Sequence, residues 1–240
     1  MNLWSDARRT AEIKREETNE ETGPLSGDDG DTKGWRSEFQ HDHDRLLFST
    51  PVRRLSDKTQ VWPMDENDGV RTRLTHSHEV ANLARSIGSN VASRSKVSFG
   101  ADLHDTVQPI LSAIGLAHDL GNPPFGHQGE AAIGGWFKKR KWIFSQHSEG
   151  GDPLPTAIEQ RLHDEFIRFD GNPQTFRLIT RLQTHRDYVG LDLTAASLAA
   201  AMKYVVAAGS TADEHPVFKK YGYFESGARR REVGKKAGGN

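Results

Sequence analysis

The chain contains five His-Asp dipeptides, at positions 41, 43, 104, 118 and 163, and one of them has a setting suited to metal chemistry. His118-Asp119 closes the run Pro109-Ile110-Leu111-Ser112-Ala113-Ile114-Gly115-Leu116-Ala117, which reads as a buried helix. Proline is tolerated in its first turn, and Gly121 and Pro123 stop it beyond the dipeptide. The other four dipeptides sit in polar, charged or interrupted surroundings. An imidazole and a carboxylate at the end of an apolar helix are costly to desolvate alone, and a metal ion partners both. With no cysteine in the chain, any such ion must be held by His, Asp and Glu.

Two further groups carry chemistry. His76, in Arg71-Thr72-Arg73-Leu74-Thr75-His76-Ser77-His78, shares a helical side with Val80, Leu83 and Ile87. The pattern predicts an inward histidine, while His78 lies about 200° round the helix. A core histidine bonded to a backbone carbonyl is the plainer reading of His76 alone. Facing helices of a bundle are also where metal sites are built, which makes it a candidate ligand beside His118 and Asp119. His127 and Glu130 are three apart and share a helix face. A carboxylate that orients an imidazole equips it for proton transfer near neutral pH, whereas a simple pair at a helix start is the alternative.

The elements that must position these groups are helical. Residues 5–34 mix charges with Gly-Pro and Gly-Asp-Asp-Gly-Asp, predicting a short helix at best from Ser5 to about Glu17 and then a flexible linker. Leu46, Leu47, Val52 and Leu55 recur at near-helical spacing, interrupted by Pro51. Arg71 to Ile87 reads as an amphipathic helix that buries Leu74, Val80, Leu83, Ala84 and Ile87. Further helices are predicted over 109–119, 127–142, 154–168, 173–186 and 194–207, with Asn172-Pro173 and Thr194 capping the last two. No stretch alternates with period two, so the expected class is all-α. Residues 1–35 are expected to be a flexible segment, 36–227 the core, and 228–240 a disordered basic tail.

Composition narrows the classes. A chain of 240 residues can bury one sizeable core. Its mean hydropathy of -0.70 is low because both ends are polar. No apolar run has membrane-spanning length, and the first residues lack the apolar stretch of a secretory signal, so a cytoplasmic location without membrane partners is expected. A net charge of -1 argues against wholesale binding to duplex DNA. Single-stranded nucleic acid stays open as a minor partner class, and Arg53-Arg54 and Arg71-Thr72-Arg73 are suited to a compact anion.

Taken together, these blocks make the sequence recognisable. It resembles the HD-domain metal-dependent phosphohydrolases, and within them the deoxyguanosine triphosphate triphosphohydrolase group. The blocks that carry the likeness are Arg53-Arg54-Leu55 with Lys58-Thr59-Gln60-Val61, Arg71 to Ser77, the 118–130 block, and Phe169-Asp170-Gly171-Asn172-Pro173-Gln174. Leu193-Thr194, Lys203-Tyr204 and Lys220-Tyr221-Gly222-Tyr223-Phe224 continue it. The resemblance implies an HD-domain helical bundle in which His76, His118 and Asp119 are metal ligands and His127 and Glu130 serve the scissile phosphate. It implies that Gln60 lines a deoxyribose pocket, and that Arg54, Asn172, Lys203, Tyr204 and Lys220 contact triphosphate or sugar. The implied cofactor is Mg²⁺ or Mn²⁺, with other transition metals as options. The implied substrate is a dNTP, dGTP foremost, cleaved by metal-activated water at the α-phosphorus to deoxynucleoside and triphosphate. Self-association into a homo-oligomer is implied as well.

One departure stands out. The group's fourth ligand is an aspartate on a late helix, followed by a tyrosine, and the chain reaches Asn240 before any such helix. Asp187, Asp192 and Asp213 come too early in block order to replace it. The sequence therefore reads as a core incomplete at its C-terminal end, expected to turn over poorly. Two other functions stay open: an HD-type phosphomonoesterase or phosphodiesterase acting on another nucleotide, and a non-catalytic nucleotide-binding subunit.

Overall fold

The apolar stretches become helices in a computed structural model that describes residues 4–8, 35–63, 67–94, 101–145, 163–183, 190–208 and 220–224. In chain order these are α1 (Glu38–Leu47), α2 (Thr50–Arg53), α3 (Arg73–Arg94), α4 (Gln108–Ala117), α5 (Gly126–Lys138), α6 (Gly171–Arg177) and α7 (Ala195–Ala201). Short 3-10 turns lie at Arg54–Asp57 and Lys141–Ser145, and π-helical turns at Leu103–Val107 and Leu178–Leu182. Residues 163–167 are also helical. Among the described residues there is no strand, only isolated bridges joining Thr59 to Thr72 and Ala207 to Tyr223. The protein is all-α. No described helix is long and apolar enough to cross a membrane. The chain divides into two compact units, Met1–Leu120 with Leu178–Ala201, and Gly121–Arg177 with Met202–Asn240.

In the first unit, Ser37 and Gln40 form a capping box that starts α1. Pro51 sits in the first turn of α2, where its missing N–H costs nothing. Leu46, Val52 and Leu55 are almost fully buried, as their spacing predicts. Phe39, Ile110 and Ala196 form a core cluster backed by Trp4 and Ile114. Each large side chain buried this way contributes about 1.5–3 kcal/mol.

The long helix α3 packs along α4, and its phase differs from the expectation. Its buried residues are Arg73, Ser77, Ala81 and Gly88, whereas Leu83 and Ile87 are 59% and 63% exposed. The reason is close approach. A Cβ at Gly115 of α4 would lie 2.5 Å from the Ala81 Cα and 2.7 Å from its nitrogen, so the helices touch backbone to backbone. Gly88 meets Leu111 with similar closeness. Small residues at the contact outrank the larger apolar side chains, which turn outward; dispersion between tightly packed backbones favours that arrangement.

Residues 5–8 are not helical, contrary to the expected start at Ser5. They close the first unit instead. The carbonyls of Ser5 and Ala7 accept from the amides of Ala196 and Ala195, the first turn of α7. Arg8 donates to Glu38 and, at 2.8 Å, to the fully buried Asp42. The other Asp42 oxygen accepts from Thr194 N at 3.0 Å and Thr194 Oγ1 at 2.6 Å. Thr194 also caps α7, accepting from Ser197 N at 3.3 Å. That helix stops at Ala201, short of the predicted 207.

In the second unit, α5 begins after Phe125, whose φ of 65° places a non-glycine residue in the left-handed region. Gly134 of α5 lies against the Ile167 carbonyl, and Phe137, Phe144 and Phe166 pack on one another, with His163 edge-on to Phe144. Helix α6 is started by Asp170 rather than Asn172: Asp170 Oδ1 accepts from Asn172 N at 2.8 Å. The α5 helix ends at Lys138, four residues before the predicted end, and a 3-10 turn follows. Residues 154–162 and 184–186 of the predicted helices, and the tail 228–240, lie outside the described residues.

Candidate metal centre

The first unit brings three predicted ligands together. His76 on α3 and His118 and Asp119 just past α4 offer donor atoms that all lie within 4.8 Å of one another. The two imidazoles meet edge-on with centroids 5.3 Å apart, and His118 Nε2 is 3.4 Å from Asp119 Oδ1. The Gly115 contact that brings α3 onto α4 also sets this spacing. His118 Nδ1 lies 2.7 Å from the Gly115 carbonyl. A carbonyl only accepts, so Nδ1 carries the hydrogen and Nε2 keeps its lone pair for a ligand role.

Asp119 is 8% exposed and has a second neighbour that the sequence reading passed over. Arg73, 4% exposed, brings Nη1 to 3.6 Å from Asp119 Oδ2 and donates from Nε to the Thr59 carbonyl at 3.2 Å. Read from the sequence, Arg71 and Arg73 are alike; in the fold Arg71 is exposed and paired with Glu79. The signal that separates them is the spacing of Arg73, Ser77 and Ala81 by fours, which marks the packed face. Two imidazoles and a carboxylate suit a divalent cation that accepts both nitrogen and oxygen donors. The buried guanidinium offsets the carboxylate charge.

Beside this trio Lys58, Arg54 and Arg73 lie close enough to act on one another's charge. Burial, then Arg73 and Arg54, hold the Lys58 ammonium below the usual lysine range, with Asp119 acting the other way. Gln60 follows on the same segment, which pairs with the start of α3 through Gln60 N to Arg71 O and Arg73 N to Lys58 O. Its Oε1 is buried and meets no hydrogen-bond donor among the described residues. Such an oxygen suits a ligand hydroxyl.

The predicted acid–base pair belongs to the second unit. His127 Nδ1 lies 2.7 Å from Glu130 Oε2, and Glu130 Oε1 accepts from Gly171 N at 2.8 Å. Glu130 is thus fixed at both oxygens, while the His127 side chain is 84% exposed. Three residues set this up: Gly129, early in α5, packs against the Pro124 carbonyl, and the left-handed Phe125 and Gly126 reverse the chain just before His127.

Comparison with known proteins matches residues 73–168 to the HD domain. The chain is 39% identical over 194 residues to a deoxyguanosinetriphosphate triphosphohydrolase-like protein of Listeria innocua, covering 79% of this chain and 41% of that protein. Proteins with the same description from Synechocystis and Pseudomonas aeruginosa are 42% and 43% identical, over 80% and 70% of this chain and 43% and 36% of theirs. The chain carries an HD domain. It is similar to deoxyguanosinetriphosphate triphosphohydrolase-like proteins. It spans roughly two fifths of the length of the relatives it matches, 36–43%.

The remaining candidates of this HD-domain protein fall in separate places. Arg54 is exposed on the 3-10 turn, close enough to Lys58 to affect its charge. Asn172 donates from Nδ2 to Asp170 Oδ1 at 2.6 Å, and Lys220 Nζ lies 3.5 Å from Asp170 Oδ2. Asp170, buried and unpredicted, therefore gathers two of the candidates. Lys203 is exposed, its ammonium 5.5 Å above the Tyr204 ring. Tyr221, next to Lys220, donates its hydroxyl to the carbonyls of Glu165 and Arg168, and burial with nearby carboxylates raises its pKa.

Proposed function

We propose that this HD-domain protein hydrolyses deoxynucleoside triphosphates, dGTP foremost, to deoxynucleoside and triphosphate by attack of water at the α-phosphorus. The observation that carries the reading is the convergence of His76, His118 and Asp119 within 4.8 Å, in the family whose curated relatives bear the dGTP triphosphohydrolase-like name. A divalent ion such as Mg²⁺ or Mn²⁺ held by these three would supply Lewis acidity toward phosphoryl oxygen and water. Arg73 keeps the Asp119 carboxylate in place. Lys58 and Arg54 neutralise phosphate charge, and Gln60 Oε1 accepts from a sugar hydroxyl.

His127 donates a proton from Nε2 to the leaving 5′-oxygen, and Glu130 holds the ring by accepting from Nδ1. Lys220, Asn172, Lys203 and Tyr204 are assigned to the triphosphate and sugar, the first two arranged by Asp170. An oligomeric, cytoplasmic enzyme fits this reading.

Product analysis tests it. Purified protein with Mn²⁺ and dGTP should release inorganic triphosphate, resolved from orthophosphate by anion exchange, and His118→Ala should abolish both release and Mn²⁺ binding. Orthophosphate as the first product would replace this reading with a phosphomonoesterase one.

A further inference from the structure

Asp170 does more than its place in the fold requires. A side chain that starts α6 needs one acceptor, and Oδ1 supplies it, taking Asn172 N at 2.8 Å and Asn172 Nδ2 at 2.6 Å. A serine or an asparagine would do as much without a charge. Asp170 is instead a carboxylate, 7% exposed, and burying one is costly unless a cation meets it. Oδ2 finds that cation in Lys220, whose Nζ lies 3.5 Å away on a side chain 41% exposed.

The lysine is brought there by its own segment. The Tyr221 hydroxyl shares its hydrogen between the carbonyls of Glu165 and Arg168. Gly222 N donates to the Val206 carbonyl and Ala208 N to the Tyr223 carbonyl, both at 2.9 Å. A Cβ at Gly222 would lie 1.7 Å from the Tyr204 oxygen, so residues 220–224 press on the stretch that bears Lys203 and Tyr204. Next to Asp170, the Gly171 amide holds Glu130 Oε1 at 2.8 Å. The carboxylate thus faces a lysine assigned to triphosphate, one residue from the amide that anchors the acid–base pair. A fixed anion in that place works against phosphate binding, because it offsets the charge that phosphate needs. It also gives the lysine a partner to return to when a highly charged product departs. An approach of 3.5 Å at a part-exposed lysine is loose enough to be exchanged.

On the reading that Lys220 holds triphosphate, we propose that Asp170 is the counter-ion that competes with the triphosphate group for this lysine, limiting how tightly the anion is held and speeding its release. Asp170 is a positioning residue in this role, since it touches the lysine and not the reacting atoms. The test is calorimetry of the whole chain with inorganic triphosphate, which reads binding without turnover. Asp170→Asn keeps an oxygen for Asn172 N and removes the charge. It should bind triphosphate about twofold to fivefold more tightly, the range of one part-exposed ion pair. The gain should fade at about 1 M salt, where charges are screened beyond roughly 3 Å. Asp170→Ser, which also keeps a capping oxygen, should show the same gain. A residue that only shaped its loop would weaken binding when replaced, so the sign separates the two roles. In a Lys220→Met background the Asp170→Asn change should leave affinity unaltered. With dGTP, kcat and KM should fall together, as for an anion released more slowly. No binding of triphosphate by the wild type, weaker or equal binding by both Asp170 variants, or the same gain without Lys220 would each overturn the counter-ion role. Orthophosphate as the product of dGTP would overturn the triphosphohydrolase reading instead, since the binding measurement needs no turnover.

Discussion

The candidate metal trio of the first unit and the candidate acid–base pair of the second are built by opposite means. The trio depends on burial: two helices pressed together at Gly115 and Ala81, a carboxylate 8% exposed, and an arginine 4% exposed beside it. The pair depends on a turn, with an imidazole 84% exposed and a carboxylate tethered by one neighbouring side chain and one amide. Ligand atoms must stay close in the face of mutual desolvation, and only dense packing holds them. A proton donor needs access, and a turn grants access while fixing one oxygen pair. The two regions should therefore respond to substitution in different currencies, stability for one and proton transfer for the other.

The largest effect is expected from Gly115→Val. Its side chain must displace the Ala81 backbone, separating His76 from His118; overpacking of this kind costs about 1–3 kcal/mol or more. Thermal unfolding should fall by several degrees and Mn²⁺ binding by calorimetry should vanish. If both survive, the helix contact does not set the site.

Arg73→Met comes next and sharpens the same side of the contrast. Removing one partner of a buried pair costs about 3–5 kcal/mol, and less here because a 3.6 Å approach is loose. The loss should shrink when Mn²⁺ is saturating, since the ion then offsets Asp119. An equal loss with and without metal would show that Arg73 acts only through its bond to Thr59.

Glu130→Gln probes the other region. The amide oxygen can still accept from Gly171 N, so the melting temperature should stay within a degree or two. Turnover should drop by about 10²-fold or more, with Mn²⁺ affinity unchanged. Unchanged turnover would remove the pair from the mechanism.

The smallest effect concerns His43 on α1. Burial, against the pull of Asp44, holds its pKa below the ordinary 6.5. The folded state therefore binds its proton less readily than the unfolded state does. Stability from this group is present above pH 6.5 and lost as pH falls through the lower folded value. His43→Gln should flatten the acid limb of a urea-midpoint profile below that pH; an unaltered slope would count against it.

The trio was legible from sequence because its residue types are rare at the ends of apolar helices, and because His118-Asp119 follows a run that could only be buried. The pair was legible from an i,i+3 spacing. What escaped the reading has a common cause. Periodicity gives most weight to large apolar residues, so α3 was phased on Leu83 and Ile87. Its packing is decided by Ser77, Ala81 and Gly88, and with them Arg73 turns inward. Asp170 escaped for another reason: its role is to gather Asn172, Lys220 and the start of α6, and partners fifty residues apart leave no local pattern.

The strap formed by residues 5–8 has a practical corollary. Cutting the chain after Arg8 would strip two amides at 195 and 196 of their acceptors and remove a guanidinium bonded to Asp42, so the damage would surface on the far side of the sequence. Linear distance from a site is a poor guide to where this fold tolerates trimming, and a tag is safer joined through a spacer than substituted for the opening residues.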